Sequence, residues 1–389
     1  MKSLLKKFCD TLRIGSFTSR TSGFARAATL TLATFIFASF TLASLSSCTN
    51  TLAQEIKVQP SVWSQGSIET PIYLMASIED GKTISNNNLH LAYSTDGLTF
   101  TALNSNNPVF TCGIGSEHIR DPFIFRLNDG TFALLASDFT QAGNYWDLGS
   151  RSDLNYWSHP SNKIYVAFSD DLITWTSGHL LQLTNASGKD GATRHCWSPK
   201  AIYNEEDKCY DIYWVGDNSS GENYVYLSQT YDFLSVKSLG DNVIYNPGYS
   251  VTWATIVKDS AKYYLFARDE SVVFGTSKGG DIQMASSTKW GRTFYRSSKY
   301  YINRLSEQDS PVLVQYPCVY QLADSRWILL VNQTNSLGTF DAFVSEDISN
   351  PQSWISASDS SLSFSFPSVC DVSVTKITQE ELTALQEAF

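Results

Sequence analysis

A chain of 389 residues with 38 acidic and 28 basic side chains carries a formal charge of −10. Such a surface repels nucleic acid and anionic lipid headgroups, so the balance speaks against a role built on phosphate contacts and for a neutral ligand. The 10 Trp and 20 Tyr have flat faces that suit either a β core or the C–H faces of sugars.

In chain order, residues 1–26 hold Lys2, Lys6, Lys7, Arg13, Arg20 and Arg26 against one acid, Asp10, and residues 27–47 are apolar and small. That order predicts a secretory signal. Leu45-Ser46-Ser47-Cys48 resembles the bacterial lipobox, which implies cleavage before Cys48 and lipidation of that residue. Several acyl chains on one cysteine anchor stably, each buried CH₂ contributing about 0.8 kcal/mol. The alternatives are a soluble signal cleaved near Thr51-Leu52-Ala53 and a retained membrane helix. Thr49, not Asp, follows the cysteine, so inner-membrane retention is not signalled and the expected location is the bacterial outer membrane or cell surface. Removing residues 1–47 takes away six basic residues and one acid, which moves the charge from −10 to −15. Residues 48–70 read as a linker. Of seven cysteines, Cys9 leaves with the signal and Cys48 takes lipid; Cys112, Cys196, Cys209, Cys318 and Cys370 remain, so at least one thiol is unpaired within the chain. No C-x-x-C pair occurs, and neither a metal site nor a cofactor is expected.

From residue 71 the chain repeats. Five segments share an apolar strand, a Ser, a polar turn and a second strand; their serines are Ser94, Ser169, Ser228, Ser286 and Ser345, spaced by 75, 59, 58 and 59 residues. The one long spacing holds a segment, 140–161, rich in Gly, Asn, Tyr and Trp. Apolar hairpins precede four of them, at 122–137, 200–215, 253–268 and 317–332, with turns such as Asn128-Asp129-Gly130. Two hairpins per repeat predict a four-stranded sheet, and five repeats predict an all-β, five-bladed β-propeller over residues 71–389. The first repeat has only three local strands, so the segment Asp371 to Ile377 is expected to complete it and close the ring. Thr378 and Glu381 fit a capping box, which predicts a short C-terminal helix. The innermost strands should start at one mouth, bringing together Asp121, Ser198 to Lys200, Trp253, Gln315 and Asp371.

Arg120-Asp121-Pro122 and Trp197-Ser198-Pro199, with the hairpins that follow them, resemble the family-43 glycoside hydrolases over roughly 71–389. The resemblance implies a five-bladed propeller that hydrolyses arabinose- or xylose-containing glycans with inversion. Inversion needs a carboxylate base that activates water and a carboxylic acid that protonates the leaving oxygen. By this resemblance Asp121 falls on the base, and Arg120 beside it is expected to keep it ionised. Two places depart from the family: Gln315 stands where the acid Glu should be, and Thr252-Trp253 stands where a pKa-tuning Asp should be. Asn332 and Asp371 replace a further Asp and a central His. Replacement acids are sought among Asp371, Asp269, Glu270, Glu307 and Asp309. His118, Trp146, His195, Trp197 and Lys200 are candidate sugar contacts, with Tyr145 and Trp157 beside Trp146, and Lys200 could instead pair with Asp121 or Asp371.

Two functions follow: a lipid-anchored, cell-surface glycosidase with Asp121 as base, or a non-catalytic glycan-binding lipoprotein with a degenerate site. Both take an oligo- or polysaccharide as partner. A propeller serving protein contacts alone is the weakest reading, given the aromatic mouth.

Overall fold

The turns that mark the repeats build themselves from two side chains. Ser169 Oγ accepts from the backbone N–H of Leu172 at 2.8 Å, and Asp171 Oδ1 accepts from Ile173 and Thr174 at 2.9 and 2.7 Å. Ser94 and Asp96 do the same for Gly97, Leu98 and Thr99. In the third sheet the anchor is Thr230, two residues past Ser228, and it works with Asp232. Short polar side chains that bond their own backbone favour such turns over continued strand.

The structure is a computed structural model that describes residues 70–79, 88–138, 161–184, 195–218, 220–239, 242–271, 280–299, 301–303, 314–333 and 338–389. The expected signal, Cys48 and most of the expected linker lie outside the described residues. Strands β1 (Ile72–Ile78), β2 (His90–Ser94) and β3 (Thr101–Ala102) come first. Then follow β4 (Ile119–Arg126), β5 (Phe132–Asp138), β6 (Lys163–Ser169) and β7 (His179–Gln182). The third group is β8 (Trp197–Asn204), β9 (Cys209–Asp217), β10 (Asn223–Thr230) and β11 (Asn242–Tyr245). The fourth is β12 (Val251–Asp259), β13 (Lys262–Asp269), β14 (Ile282–Ser287) and β15 (Tyr295–Arg296). The fifth is β16 (Val314–Gln321), β17 (Trp327–Gln333), β18 (Phe340–Ser345) and β19 (Ile355–Ser356), followed by β20 (Cys370–Ile377) and helix α1 (Gln379–Ala388).

Four sheets use consecutive antiparallel strands, and the fifth has the order β20-β1-β2-β3. The expected closure is therefore observed: Tyr73 pairs with Lys376 and Leu74 with Thr375. Five apolar layers fill the gaps between successive sheets. Leu74, Ile124 and Leu134 occupy one, Leu135, Ile212 and Trp214 the next, and Tyr213, Ile256 and Leu265 the third. Phe266, Leu329 and Trp354 occupy the fourth, and Met75, Tyr320 and Leu330 return to the first sheet. Five sheets with five shared layers make the closed five-bladed propeller that the repeats predict.

Hydroxyls and an ammonium clasp neighbouring inner strands. Ser373 and Thr375 on β20 donate to the Pro122 and Ile124 carbonyls of β4, each at 2.7 Å. Thr255 on β12 donates to the Pro317 carbonyl of β16 at 2.6 Å, and Lys200 on β8 to the Ala254 carbonyl of β12 at 3.0 Å. These bonds join inner strands of neighbouring sheets through their backbone carbonyls. The predicted capping box is formed at α1, with Thr378 Oγ1 accepting from Glu381 N–H at 3.2 Å and Glu381 Oε2 accepting from Thr378 N–H at 2.8 Å. Arg126 at the end of β4 holds the same Glu381 through two bonds of 2.8 and 2.7 Å, and Leu382 and Leu385 are buried. Cys112, Cys196, Cys209, Cys318 and Cys370 are all buried free thiols.

Candidate functional site

Near its start each innermost strand shifts register against its neighbour, at Arg120/Phe123, Trp197/Lys200, Thr252/Thr255 and Gln315/Cys318, and β20 does so opposite Ala76/Ile78. One residue per shift takes a positive φ: Asp121 (50°), Ser198 (47°), Trp253 (50°), Tyr316 (54°) and Asp371 (54°). Non-glycine residues pay about 1–2 kcal/mol for this conformation, so a fivefold recurrence reflects a shared device, a bulge that re-aims a side chain. All five line one pocket, with Lys200 two residues further down β8. The clear space among them is about 10 Å³, room for one water molecule.

The fifth place in the ring belongs to Tyr316, not Gln315. Gln315 is wholly buried, stands in register with Asn332, and neither amide makes a hydrogen bond among the described residues. Both amides sit where the resemblance places carboxyls.

The charged groups are wired differently from the expectation for Arg120. Its Nε and Nη2 donate to the two oxygens of Asp371 at 2.5 and 3.1 Å, and Nη2 also donates to Tyr316 Oη at 2.7 Å. Burial opposes the guanidinium's charge, but Asp371, Tyr316 and Cys370 together outweigh it and raise the Arg120 pKa. Asp371 Oδ2 further accepts from the Asp121 backbone N–H at 3.3 Å. Asp121 uses Oδ2 to accept from Ser137 Oγ at 2.7 Å and from the Ser198 N–H at 3.3 Å. Burial first, and the Asp371 charge second, push the Asp121 carboxyl up to about 6, against the pull of Arg120, Ser137 and Lys200. Arg120 thus serves Asp371 directly and Asp121 only at a remove. Burial also lowers the Lys200 pKa, opposed by Asp121, Cys318 and Asp371. Lys200 makes its bond to the Ala254 carbonyl and to neither aspartate.

The Trp253 ring packs on Tyr316 with centroids 4.5 Å apart. Behind it Arg268 lies 5.1 Å from the Trp253 ring centre and 3.2 Å from Glu270, whose Oε1 accepts from Thr252 Oγ1 at 2.5 Å. Asp269 accepts from Tyr301 and from Ser271 N–H, each at 2.7 Å. Neither acid lines the pocket. His195 is buried with Nδ1 2.8 Å from Asp217 and stacks on half-buried Trp197 at 4.6 Å. These two and half-buried His118 stand outside the lining as well. Tyr145, Trp146, Trp157, Glu307 and Asp309 lie outside the described residues.

The structure therefore assembles Asp121, Lys200, Trp253 and Asp371 at one mouth, with Arg120 directly behind. Ser198 stands there with Lys200 as expected, and Tyr316 is the one addition, in the place expected for Gln315. The sequence signal for Tyr316 was the proline: Pro122, Pro199 and Pro317 each follow the positive-φ residue. The chemistry on offer is one carboxyl balanced near neutrality, one carboxylate neutralised by a guanidinium, a phenol and an ammonium.

The sequence model of a family described as "Probable glycosyl hydrolase domain", related to family 43, matches residues 70–383. None of the curated proteins matches the chain. Among solved structures, an α-L-arabinanase of Cellvibrio cellulosa in complex with arabinohexaose is similar, with 12% identity, 78% of this chain and 100% of that chain covered, and a TM-score of 0.50. An exo-1,5-α-L-arabinanase from a bovine ruminal metagenomic library has 14% identity, coverage of 71% and 93%, and a TM-score of 0.46. A β-xylosidase/α-arabinofuranosidase from a compost microbial metagenome has 14% identity, coverage of 64% and 79%, and a TM-score of 0.46. At such identities the likeness is one of fold.

Proposed function

Because the chain belongs to this family-43-related family of glycosyl hydrolase domains, we propose that it hydrolyses glycosidic bonds in arabinose- or xylose-containing glycans at the mouth of the ring. Asp121 carries this reading. A base works best when its pKa lies near the working pH, and a carboxyl at about 6 is mostly ionised at neutrality yet still takes a proton readily. Ser137 and the Ser198 N–H hold Oδ2, so the orientation of the carboxylate is set before substrate arrives. In the proposed reaction Asp121 removes a proton from the water that attacks the anomeric carbon, with inversion. The arabinohexaose complex of the arabinanase supports an oligosaccharide as ligand. We further propose export and lipid anchoring at Cys48, which places the ring at the cell surface; radiolabelled palmitate should label the wild-type chain and not Cys48→Ala.

A second reading has a specific observation behind it. By the sequence resemblance Gln315 and Trp253 stand at the places of the acid and the pKa-tuning carboxyl, and in the structure Asp371, the other pocket carboxylate, is tied to Arg120. That pattern suits a glycan-binding protein without turnover. The test compares wild type with Asp121→Asn on aryl arabinofuranosides and aryl xylosides. Turnover by wild type that the variant lacks supports hydrolysis. Absence of turnover in both, with arabino- or xylo-oligosaccharide binding retained, supports the binding protein.

A further inference from the structure

Protonating the leaving oxygen is the half of the reaction for which, among the described residues, the pocket carboxyls make no provision. Asp371 gives both oxygens to Arg120 and one also to the Asp121 N–H. Glu270 is engaged by Thr252 and Arg268, Asp269 by Tyr301 and Ser271, and neither reaches the pocket lining. Lys200 lines the pocket, but its ammonium joins β8 to β12 through the Ala254 carbonyl.

Tyr316 is placed differently. It follows Gln315, takes the positive-φ place in its blade, and lines the pocket opposite the strand that carries Asp121. Its hydroxyl accepts from Arg120 Nη2 at 2.7 Å, and its ring is braced by Trp253 at 4.5 Å. The guanidinium that positions this phenol also holds Asp371, and Asp371 holds the Asp121 backbone, so donor and base belong to one rigid cluster. Positive charge already stands where negative charge would grow on the phenolic oxygen, which is the arrangement that stabilises a developing anion.

Resting on the hydrolase reading above, we propose that Tyr316 is the proton donor to the leaving group. As the bond from the anomeric carbon to the glycosidic oxygen breaks, the phenolic hydrogen passes to that oxygen and the sugar leaves as an alcohol. The attacking water loses one proton to Asp121, and its oxygen bonds to the anomeric carbon. The proton on Asp121 then returns through solvent to the Tyr316 phenolate, which restores both groups.

The experiment measures kcat/KM of the full chain, wild type against Tyr316→Phe, on glycosides of one sugar with leaving groups from dinitrophenol to methanol. Dinitrophenolate leaves without protonation. Tyr316→Phe should therefore keep near-wild-type rates on the dinitrophenyl glycoside and lose about 10²–10⁴-fold on the methyl glycoside. The wild type supplies a second readout that needs no variant: an alkaline limb in the pH–rate profile for poor leaving groups, absent for dinitrophenol. Equal losses across the series, or none, would overturn the assignment to Tyr316. A leaving-group dependence in Lys200→Met and not in Tyr316→Phe would move the donor to Lys200. Absence of wild-type turnover on the dinitrophenyl glycoside would overturn the hydrolase reading itself.

Discussion

Replacing Asp121 with asparagine removes one negative charge and keeps the shape of the side chain, so it isolates what the ionised carboxylate does to the fold. The ordinary carboxyl value is 3.8, and the folded protein raises it to about 6. A gap of about two units corresponds to about 3 kcal/mol at about 1.4 kcal/mol per unit. The sign follows from which state holds the proton. Between the two values the folded chain keeps the Asp121 proton and the unfolded chain has lost it. Stability from this group is therefore complete below about pH 4 and is lost as pH rises through about 6. Asparagine cannot ionise and keeps the neutral contacts with Ser137 and Ser198. Urea unfolding of wild type and Asp121→Asn, followed by tryptophan fluorescence between about pH 4 and pH 8, should show two similar proteins in acid. The variant should become more stable by about 3 kcal/mol above neutrality. Other carboxyls titrate in both proteins and cancel in the difference. A difference that does not change with pH, or one that favours wild type as pH rises, would refute the claim that Asp121 is held in an unfavourable environment for its charge.

Arg120→Met strands the Asp371 carboxylate in the interior and should destabilise by about 3–5 kcal/mol; adding Asp371→Asn should recover part of that loss, and strictly additive losses in urea unfolding would contradict the pairing. Thr255→Val and Ser373→Ala remove clasps between inner strands and leave the Pro317 and Pro122 carbonyls unmet, each at a loss of about 1–3 kcal/mol read the same way. Thr378→Ala should lose about 1 kcal/mol by opening the cap of α1; no loss would mean that Leu382 and Leu385 alone seat the helix. For the proposed hydrolysis, kcat/KM should rise as pH increases through about 6, because the base must be free of its proton, and a flat profile across that range would count against Asp121.

The architecture was open to reading because its signals are local and repeated. Ser94, Ser169 and Ser345 sit in turns whose side chains bond their own backbone, and in the other two sheets Thr230 and Ser287 do so in place of the expected Ser228 and Ser286. The missing strand of the first repeat pointed to Asp371–Ile377, and Thr378 with Glu381 announced the helix start. The site was harder, since it depends on register. A strand presents alternate residues to alternate faces, so a slip of one exchanges what is exposed for what is buried. At the bulge of β16 the register shift gives the pocket lining to Tyr316 and not to Gln315, although both are buried. The partner of Arg120 was equally hidden, because Asp371 stands 251 residues away and only closure of the ring brings the two together. Asp121 shows the same limit: the adjacent arginine was expected to keep it ionised, and Arg120 does pull its pKa down, but burial and the neighbouring carboxylate outweigh that pull.

The strand that completes the first sheet also carries Asp371. On the ribosome, Arg120 emerges long before its counter-ion is translated, and until β20 docks it faces an unfinished wall. Sealing the ring and pairing Arg120 thus depend on the same strand. A polypeptide clipped before β20 lacks both the strand that completes the first sheet and the counter-ion of Arg120.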